Sequence, residues 1–176
     1  IPRLLKQHVL IMDFLGQDGW CAPRLKEVTL NLNESIKCYH TIITDMRLMY
    51  HECNLVHGDL SEYNLLWYKE RPIIIDVSQS VEHAHPFAND FLKKDIQNVN
   101  DFFQKKDVLT LSNYYLYQFI TLEKNNLLSN LLNVIGPNLL ISFSVNIFSL
   151  NSLSSFLNPI KFLAKANLYF SSSRIS

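Results

Sequence analysis

Leu55–Val77, LVHGDLSEYNLLWYKERPIIIDV, is the stretch that decides how the rest of this 176-residue chain is read. Two apolar residues open it, and it turns polar from His57 to Asn64. Leu65-Leu66-Trp67 follows, then a turn over Lys69–Pro72, then Ile73–Ile75 with Asp76 at its end. Short apolar runs bounded by turn residues read as strands. The stretch therefore predicts a small β-hairpin entered through a polar loop. Such a hairpin holds the loop by its ends without sinking it into the core. It also brings two acids and an amide, Asp59, Asn64 and Asp76, toward one place.

Working outward, Asn33–Glu52 reads as the strongest helix. Asn33 is a capping residue with Glu34 in the first turn. Ile36, Tyr39, Ile43, Met46 and Tyr50 recur at spacings of three and four, widened by Ile42 and Met49, so one face is apolar and packs on the hairpin. Residues 8–15, HVLIMDFL, read as a buried strand. Gly16–Pro23 reads as a loop, and Arg24–Leu30 as an ambiguous segment with room for a helical turn. Beyond the hairpin, Ser78–Pro86 reads as irregular. A second helix is expected over Ala88–Gln104, with Phe91, Ile96 (or Asp95), Val99, Phe102 and Phe103 facing inward. A third is expected within Leu109–Thr121, capped by Thr110 or Ser112, with Tyr115, Leu116 and Phe119 inward.

The formal net charge is zero, so composition gives no reason to expect nucleic acid or an anionic membrane as partner. The distribution is more telling. Residues 1–107 carry 12 basic and 15 acidic side chains, whereas residues 108–176 carry four and one. From Asn125 onward the chain is Asn, Ser, Leu, Phe and Ile in short irregular runs, a composition break that sets a tail (125–176) apart from a folded unit (1–124). The tail is too sticky for a charged linker and is read as a poorly ordered, atypical end. Asn and Ser interrupt it too often for a membrane span. Cys21, Cys38 and Cys53 have no metal-ligand spacing and read as reduced thiols of an intracellular protein. The first residue is Ile, and the chain reads as a fragment with no signal peptide.

The chemistry concentrates in the hairpin. Mg²⁺ prefers oxygen ligands and keeps waters and substrate phosphates for the rest of its shell. A neutral amide (Asn64) with a carboxylate (Asp76) meets that need without crowding like charges. Asp59 is left to accept a hydrogen bond or proton from a nucleophile, or to orient a water. D-x-x-x-x-N followed by a strand-end Asp is the arrangement of a kinase catalytic loop and its metal-binding aspartate. His57 reads as a buried organiser that bonds the backbone near Asp76. Ser61 is placed to approach phosphates or Asp59. His83 and His85 form H-x-H, but they lack the companions of a zinc or iron site and fit helix-end or packing roles better. Only about eleven residues separate Asp76 from the next helix. That leaves little room to grip an extended peptide, and it favours an ATPase or self-phosphorylating switch.

LVHGDLSEYNLLW, IIIDVSQSVEHAHP and FLKKDIQNVNDFF together resemble the RIO family of atypical serine/threonine kinases and ATPases, and specifically its first subfamily. Gly58 stands where that family more often has Ala, an exchange expected to be harmless. The resemblance covers about residues 1–121. It implies an α+β fold: a protein-kinase-like C-terminal lobe, mostly helical with a short catalytic β-hairpin, the N-terminal lobe being absent. It implies ATP and Mg²⁺ as cofactors. Asp59 becomes the catalytic-loop aspartate, Asn64 and Asp76 the metal ligands, and Asp76 a possible phosphoryl acceptor. Met12, Asp13 and Phe14 become the hinge that holds adenine by its backbone. It further implies late maturation of the small ribosomal subunit in the cytoplasm. The partner is then a pre-40S particle, with rRNA and ribosomal proteins nearby, and neither a membrane nor a specific DNA sequence. Without the family's Gly-rich phosphate loop and its Lys–Glu pair, this stretch alone is expected to turn over little ATP. The competing expectations are a non-enzymatic docking module on the same particles and a metal-dependent hydrolase using His57, Asp59, His83 and His85.

Overall fold

The computed structural model describes residues 2–7 and 9–123. The expected tail, 125–176, lies outside them. The described chain runs through two small hairpins, a long helix, the central hairpin and two further helices. Pro2–Lys6 (β1) pairs antiparallel with Val9–Met12 (β2), and Gly16–Gln17 (β3) with Trp20–Cys21 (β4). A 3-10 turn at Leu25–Glu27 leads to α1, Leu32–Glu52. Leu55–Val56 (β5), Leu65–Tyr68 (β6), Arg71–Ile74 (β7) and Val81–Glu82 (β8) follow. Ala88–Gln104 (α2) and Asn113–Thr121 (α3) close the described fold.

The first region corrects two expectations. Residues 8–15 were expected to form a buried strand. β2 is shorter and largely exposed, with Val9, Ile11 and Met12 each about half accessible (52%, 51% and 48%). Its apolar composition specifies extended backbone, but β1 is its only strand partner among the described residues. Gly16–Pro23 is not a plain loop. It folds into the β3–β4 hairpin around Asp18 and Gly19, both in the left-handed region that tight hairpin turns require.

α1 is capped by Asn31 rather than Asn33. The Asn31 side chain accepts the Glu34 N–H at 2.9 Å, and the Glu34 carboxylate accepts the Asn31 N–H at 2.9 Å. This reciprocal box needs the acid three residues after the cap, a spacing that Asn31 has and Asn33 lacks. Tyr39, Ile42, Ile43 and Met46 are buried as expected, while Ile36 and Tyr50 are partly covered. The helix ends at Glu52, and Asn54 turns the chain at φ 56°.

The three helices share one core, to which α2 contributes Leu92, Ile96, Val99 and Phe103, and α3 Leu116, Phe119 and Ile120. A buried polar knot ties them. The Tyr39 hydroxyl donates to Asn100 Oδ1 (3.0 Å) and accepts the Leu111 N–H (3.1 Å). Asn100 Nδ2 donates in turn to Leu111 O and Asn113 Oδ1. Satisfied networks of this kind fix one helix arrangement, because any shift would orphan a buried polar group. Burial pushes the Tyr39 hydroxyl pKa up to about 12, so it stays a donor throughout the physiological range. Ser112 caps α3 as one of the two expected candidates, and the helix proper starts at Asn113, later than Leu109.

The central hairpin is β6–β7, in the register Leu65↔Ile74 through Tyr68↔Arg71. Pro72 belongs to the strand, not the turn. The turn is Lys69–Glu70, both at positive φ (51° and 58°), as the twist of a two-residue hairpin demands. Ser78–Pro86 is also more ordered than expected. The 3-10 turn Val77–Gln79 runs into it, and it holds β8, which pairs with β5 (Leu55↔Glu82, Val56↔Val81). A two-residue strand carries no periodicity of its own, and only its distant partner defines it.

Candidate active site

His57–Asn64 leaves β5 and returns as β6, and three elements hold it. From below, the Asp95 side chain of α2 reaches the loop backbone. Its Oδ2 accepts the Gly58 N–H and its Oδ1 the Leu60 N–H, both at 2.8 Å. Asp95 is 1% exposed. Burial pushes its carboxyl above the usual carboxylate range, and the two amide donors oppose that rise. Asn98, one turn along the helix, donates to Leu60 O at 3.0 Å. From the 3-10 turn before α1, the Lys26 N–H donates to Glu62 O at 3.3 Å, and the Lys26 ammonium donates to the Tyr63 hydroxyl.

The third support is His57. It is buried, as expected, and its Nε2 donates to Ile75 O at 3.0 Å. Its Nδ1 accepts the Asp59 N–H at 3.3 Å, so the ring proton that serves Ile75 sits on Nε2. One imidazole thus ties the backbone of Asp59 to the residue just before Asp76.

Asn64 completes the cluster. Its Nδ2 donates to Asp59 O (2.9 Å) and Asp59 Oδ2 (3.3 Å), and its backbone carbonyl accepts the Ile75 N–H at 3.0 Å, extending the β6–β7 ladder by one pair. Asp59 and Asn64 are therefore in contact, and Asp76 stands one residue beyond Asn64's partner. Asp76 is exposed, in the left-handed region at φ 57° and ψ 63°, and its Oδ1 accepts the Ser78 hydroxyl at 2.6 Å. Lys94 of α2 stands 4.0 Å from Asp59 Oδ1.

The donor set suits a hard cation. Asn64 uses its amide nitrogen on Asp59 and, among the described residues, leaves its side-chain oxygen without a protein donor. Asp76 uses Oδ1 on Ser78 and leaves Oδ2 likewise. An amide oxygen and a carboxylate oxygen are the ligands Mg²⁺ takes when phosphates and water supply the rest. Asn64 and Asp76 would hold the ion, which would neutralise charge on a bound phosphate.

The remaining predicted residues are placed less directly. Ser61 accepts the Asn64 N–H through its backbone carbonyl at 3.0 Å. Met12, Asp13 and Phe14 form the end of β2 and the connector into β3, with the Asp13 carboxylate on Arg3 (2.6 and 3.0 Å). The connector is fastened toward the site stepwise. Ala22 N–H donates to Leu15 O, and Trp67 N–H donates to Pro23 O, both at 2.8 Å. The two loop histidines are committed elsewhere: the His83 ring lies on Tyr50, and His85 accepts the Phe87 N–H and stacks on Phe91. Among the described residues no three His, Cys, Asp or Glu side chains gather into a metal site, which disfavours the hydrolase reading.

Gly58 corrects an expectation. It sits at φ 84°, and a Cβ built on it would lie 2.8 Å from Gln79 O. In this chain Ala at 58 is therefore strained and crowded rather than harmless. The sequence pattern offers Asp95 only as an inward position of α2, and gives Asn98 and Ser78 no role in the site. An acid in the otherwise apolar Leu92–Val99 stripe was the available signal for Asp95, since a buried carboxylate needs donors.

A family profile described as RIO domain matches residues 1–115. The chain belongs to the RIO family. Among RIO relatives, the serine/threonine-protein kinase rio1 of Dictyostelium discoideum is 52% identical over 120 residues, covering 68% of this chain and 21% of that protein. The human serine/threonine-protein kinase RIO3 is 53% identical over 105 residues, covering 60% and 20%. The RIO chain described here thus spans about a fifth of those relatives' length. In fold, it is similar to the Rio2 kinase of Chaetomium thermophilum, solved as an ADP/Mg²⁺-phosphoaspartate complex. That likeness has a TM-score of 0.50 at 18% identity, over 97% of this chain and 48% of that one. The fold is accordingly α+β and protein-kinase-like, a partial kinase lobe of the RIO type. No described helix is long and apolar enough to cross a membrane.

Proposed function

We propose that this chain carries the hinge and catalytic loop of an ATP- and Mg²⁺-dependent RIO-type serine/threonine kinase/ATPase. One observation carries the reading: Asn64 is bonded to Asp59, and His57 links the Asp59 amide to Ile75, next to Asp76. Asp59 then orients or deprotonates the attacking group. Asn64 and Asp76 hold Mg²⁺ against the phosphates, Ser61 lies beside them, and the Met12–Phe14 backbone meets adenine. Asp76 is also the candidate to receive the phosphoryl group. The short interval between Asp76 and α2 supports an ATPase or self-modifying switch over phosphorylation of extended peptides. By family likeness, the reaction serves late maturation of the small ribosomal subunit in the cytoplasm, on a pre-40S particle with rRNA and ribosomal proteins nearby.

Residues 1–176 contain no Gly-rich phosphate loop, so turnover by this chain alone should be small. Transition-state charge would lack donors worth on the order of several kcal/mol. Titration calorimetry with ATP tests the proposal. Binding should require Mg²⁺ and should be lost in Asp76→Asn. Binding that ignores both Mg²⁺ and that substitution overturns it, and robust turnover that Asp76→Asn abolishes overturns the low-activity expectation.

A further inference from the structure

We propose that Ser78 is a positioning residue for Asp76, and that it sets which carboxylate oxygen is offered to a divalent cation. The inference rests on the function proposed above and deepens it.

Asp76 stands immediately before the Val77–Gln79 3-10 turn. A capping acid on extended backbone turns its carboxylate onto the amides of the turn it precedes, but Asp76 stands in the left-handed region at φ 57°. Asp76 makes no such bond. Its Oδ1 accepts the Ser78 hydroxyl at 2.6 Å instead, which leaves Oδ2 without a protein donor among the described residues. The platform under Ser78 is anchored at both ends. The Ser80 N–H closes the turn on Val77 O at 3.1 Å, and Gln79 O lies so close to Gly58 that a Cβ there would come within 2.8 Å. Ile75, before Asp76, is bound through its N–H to Asn64 O and through its carbonyl to His57. The backbone around Asp76 is thus fixed, and the side chain's own rotation is the remaining freedom. An exposed aspartate samples several staggered rotamers. A bond to a hydroxyl two residues away, on a held turn, selects one.

The consequence concerns the cation. Mg²⁺ demands near-octahedral geometry and tolerates little wandering of its ligands. A partner that orients a ligating carboxylate typically governs metal affinity by 10–100-fold. With Oδ1 occupied by Ser78, the ligand set becomes Asp76 Oδ2 and Asn64 Oδ1, each on a side chain already oriented by a second bond.

The test compares the full 176-residue chain with Ser78→Ala and Ser78→Thr. Without metal or nucleotide, three-bond couplings from the Asp76 carboxyl carbon to its own backbone nitrogen and carbonyl carbon report its rotamer. A single rotamer is expected in the parent and in Ser78→Thr, and averaging in Ser78→Ala. Mn²⁺ binding in the presence of ADP, read from water-proton relaxation, should weaken about tenfold or more in Ser78→Ala and return to within about twofold in Ser78→Thr. If the parent binds Mn²⁺ and Ser78→Ala binds it equally well, this inference alone falls. A loss of affinity with Asp76 still in one rotamer also overturns it, because the effect would not run through orientation. If the parent itself shows no ADP-dependent Mn²⁺ binding, the proposed function falls and this inference falls with it.

Discussion

Asp59 and Asp76 belong to one site and are held in opposite ways. Asp59 rides on a loop whose flanking amides are gripped by a carboxylate from α2, whose own amide is gripped by His57, and whose next carbonyl takes Asn98. Asp76 is exposed, stands in left-handed backbone, and among the described residues its carboxylate has a single bond, to nearby Ser78. The support of the first comes mainly from Asp95 and Asn98, more than thirty positions away, with His57 as a near neighbour. That of the second comes from two positions away. The acid–base group is fixed by the tertiary fold, whereas the metal-side carboxylate depends on a local turn. Damage to the core should therefore reach Asp59 first, and damage to the turn should reach Asp76 alone.

The largest test of that contrast is Asp95→Ala. It strips two charge-assisted bonds and leaves two buried amides unpaired, so it should cost about 3–5 kcal/mol of stability, measured by urea unfolding. Asp45 probes the far end of the strand that leads to Asp76. This buried acid of α1 pairs with Arg71 of β7 at 3.4 Å, yet burial outweighs the pair and pushes its pKa up to about 6. The folded state therefore keeps a proton that the unfolded chain has released between pH 4 and 6. Stability should fall as pH rises through that window, by on the order of 3 kcal/mol in all, and stay lower above it. Asp45→Asn should flatten that slope in pH-dependent unfolding curves. Gly58→Ala strikes where the two supports touch, at Gln79. It should cost about 1–3 kcal/mol through positive φ and crowding, a drop that thermal unfolding would register. Lys94→Ala comes last. Lys94 precedes Asp95 in α2, but its pair with Asp59 is exposed on both sides, and the change should stay under about 0.5 kcal/mol. A larger loss from Lys94 than from Asp95 would reverse the contrast.

Much of this architecture is legible in the sequence, and the misses have physical causes. α2 is found over its whole length, Ala88–Gln104, because its apolar period is sustained for more than four turns. The contact of Asp59 with Asn64 follows from a loop tethered between two strands. Asp95 is offered by the pattern as an inward position, but its role is not legible, because its partners, Gly58 and Leu60, are more than thirty residues away. β8 was missed for the same reason, since two residues become a strand only through β5. The N-cap was misread between two asparagines, although the acid at Glu34 distinguishes them. For β2, a short apolar run with β-branched residues specifies extended backbone, but nothing local says what covers it.

That last strand has a practical consequence. Among the described residues, the β1–β2 pair has no further strand on either side, and Leu4, Val9, Ile11 and Met12 are about half exposed along it. Open rows of amides beside apolar side chains are templates for edge-to-edge aggregation. Solubility of the purified polypeptide should therefore be limited by these first dozen residues, and a lysine at position 9 or 11 should extend its usable concentration range.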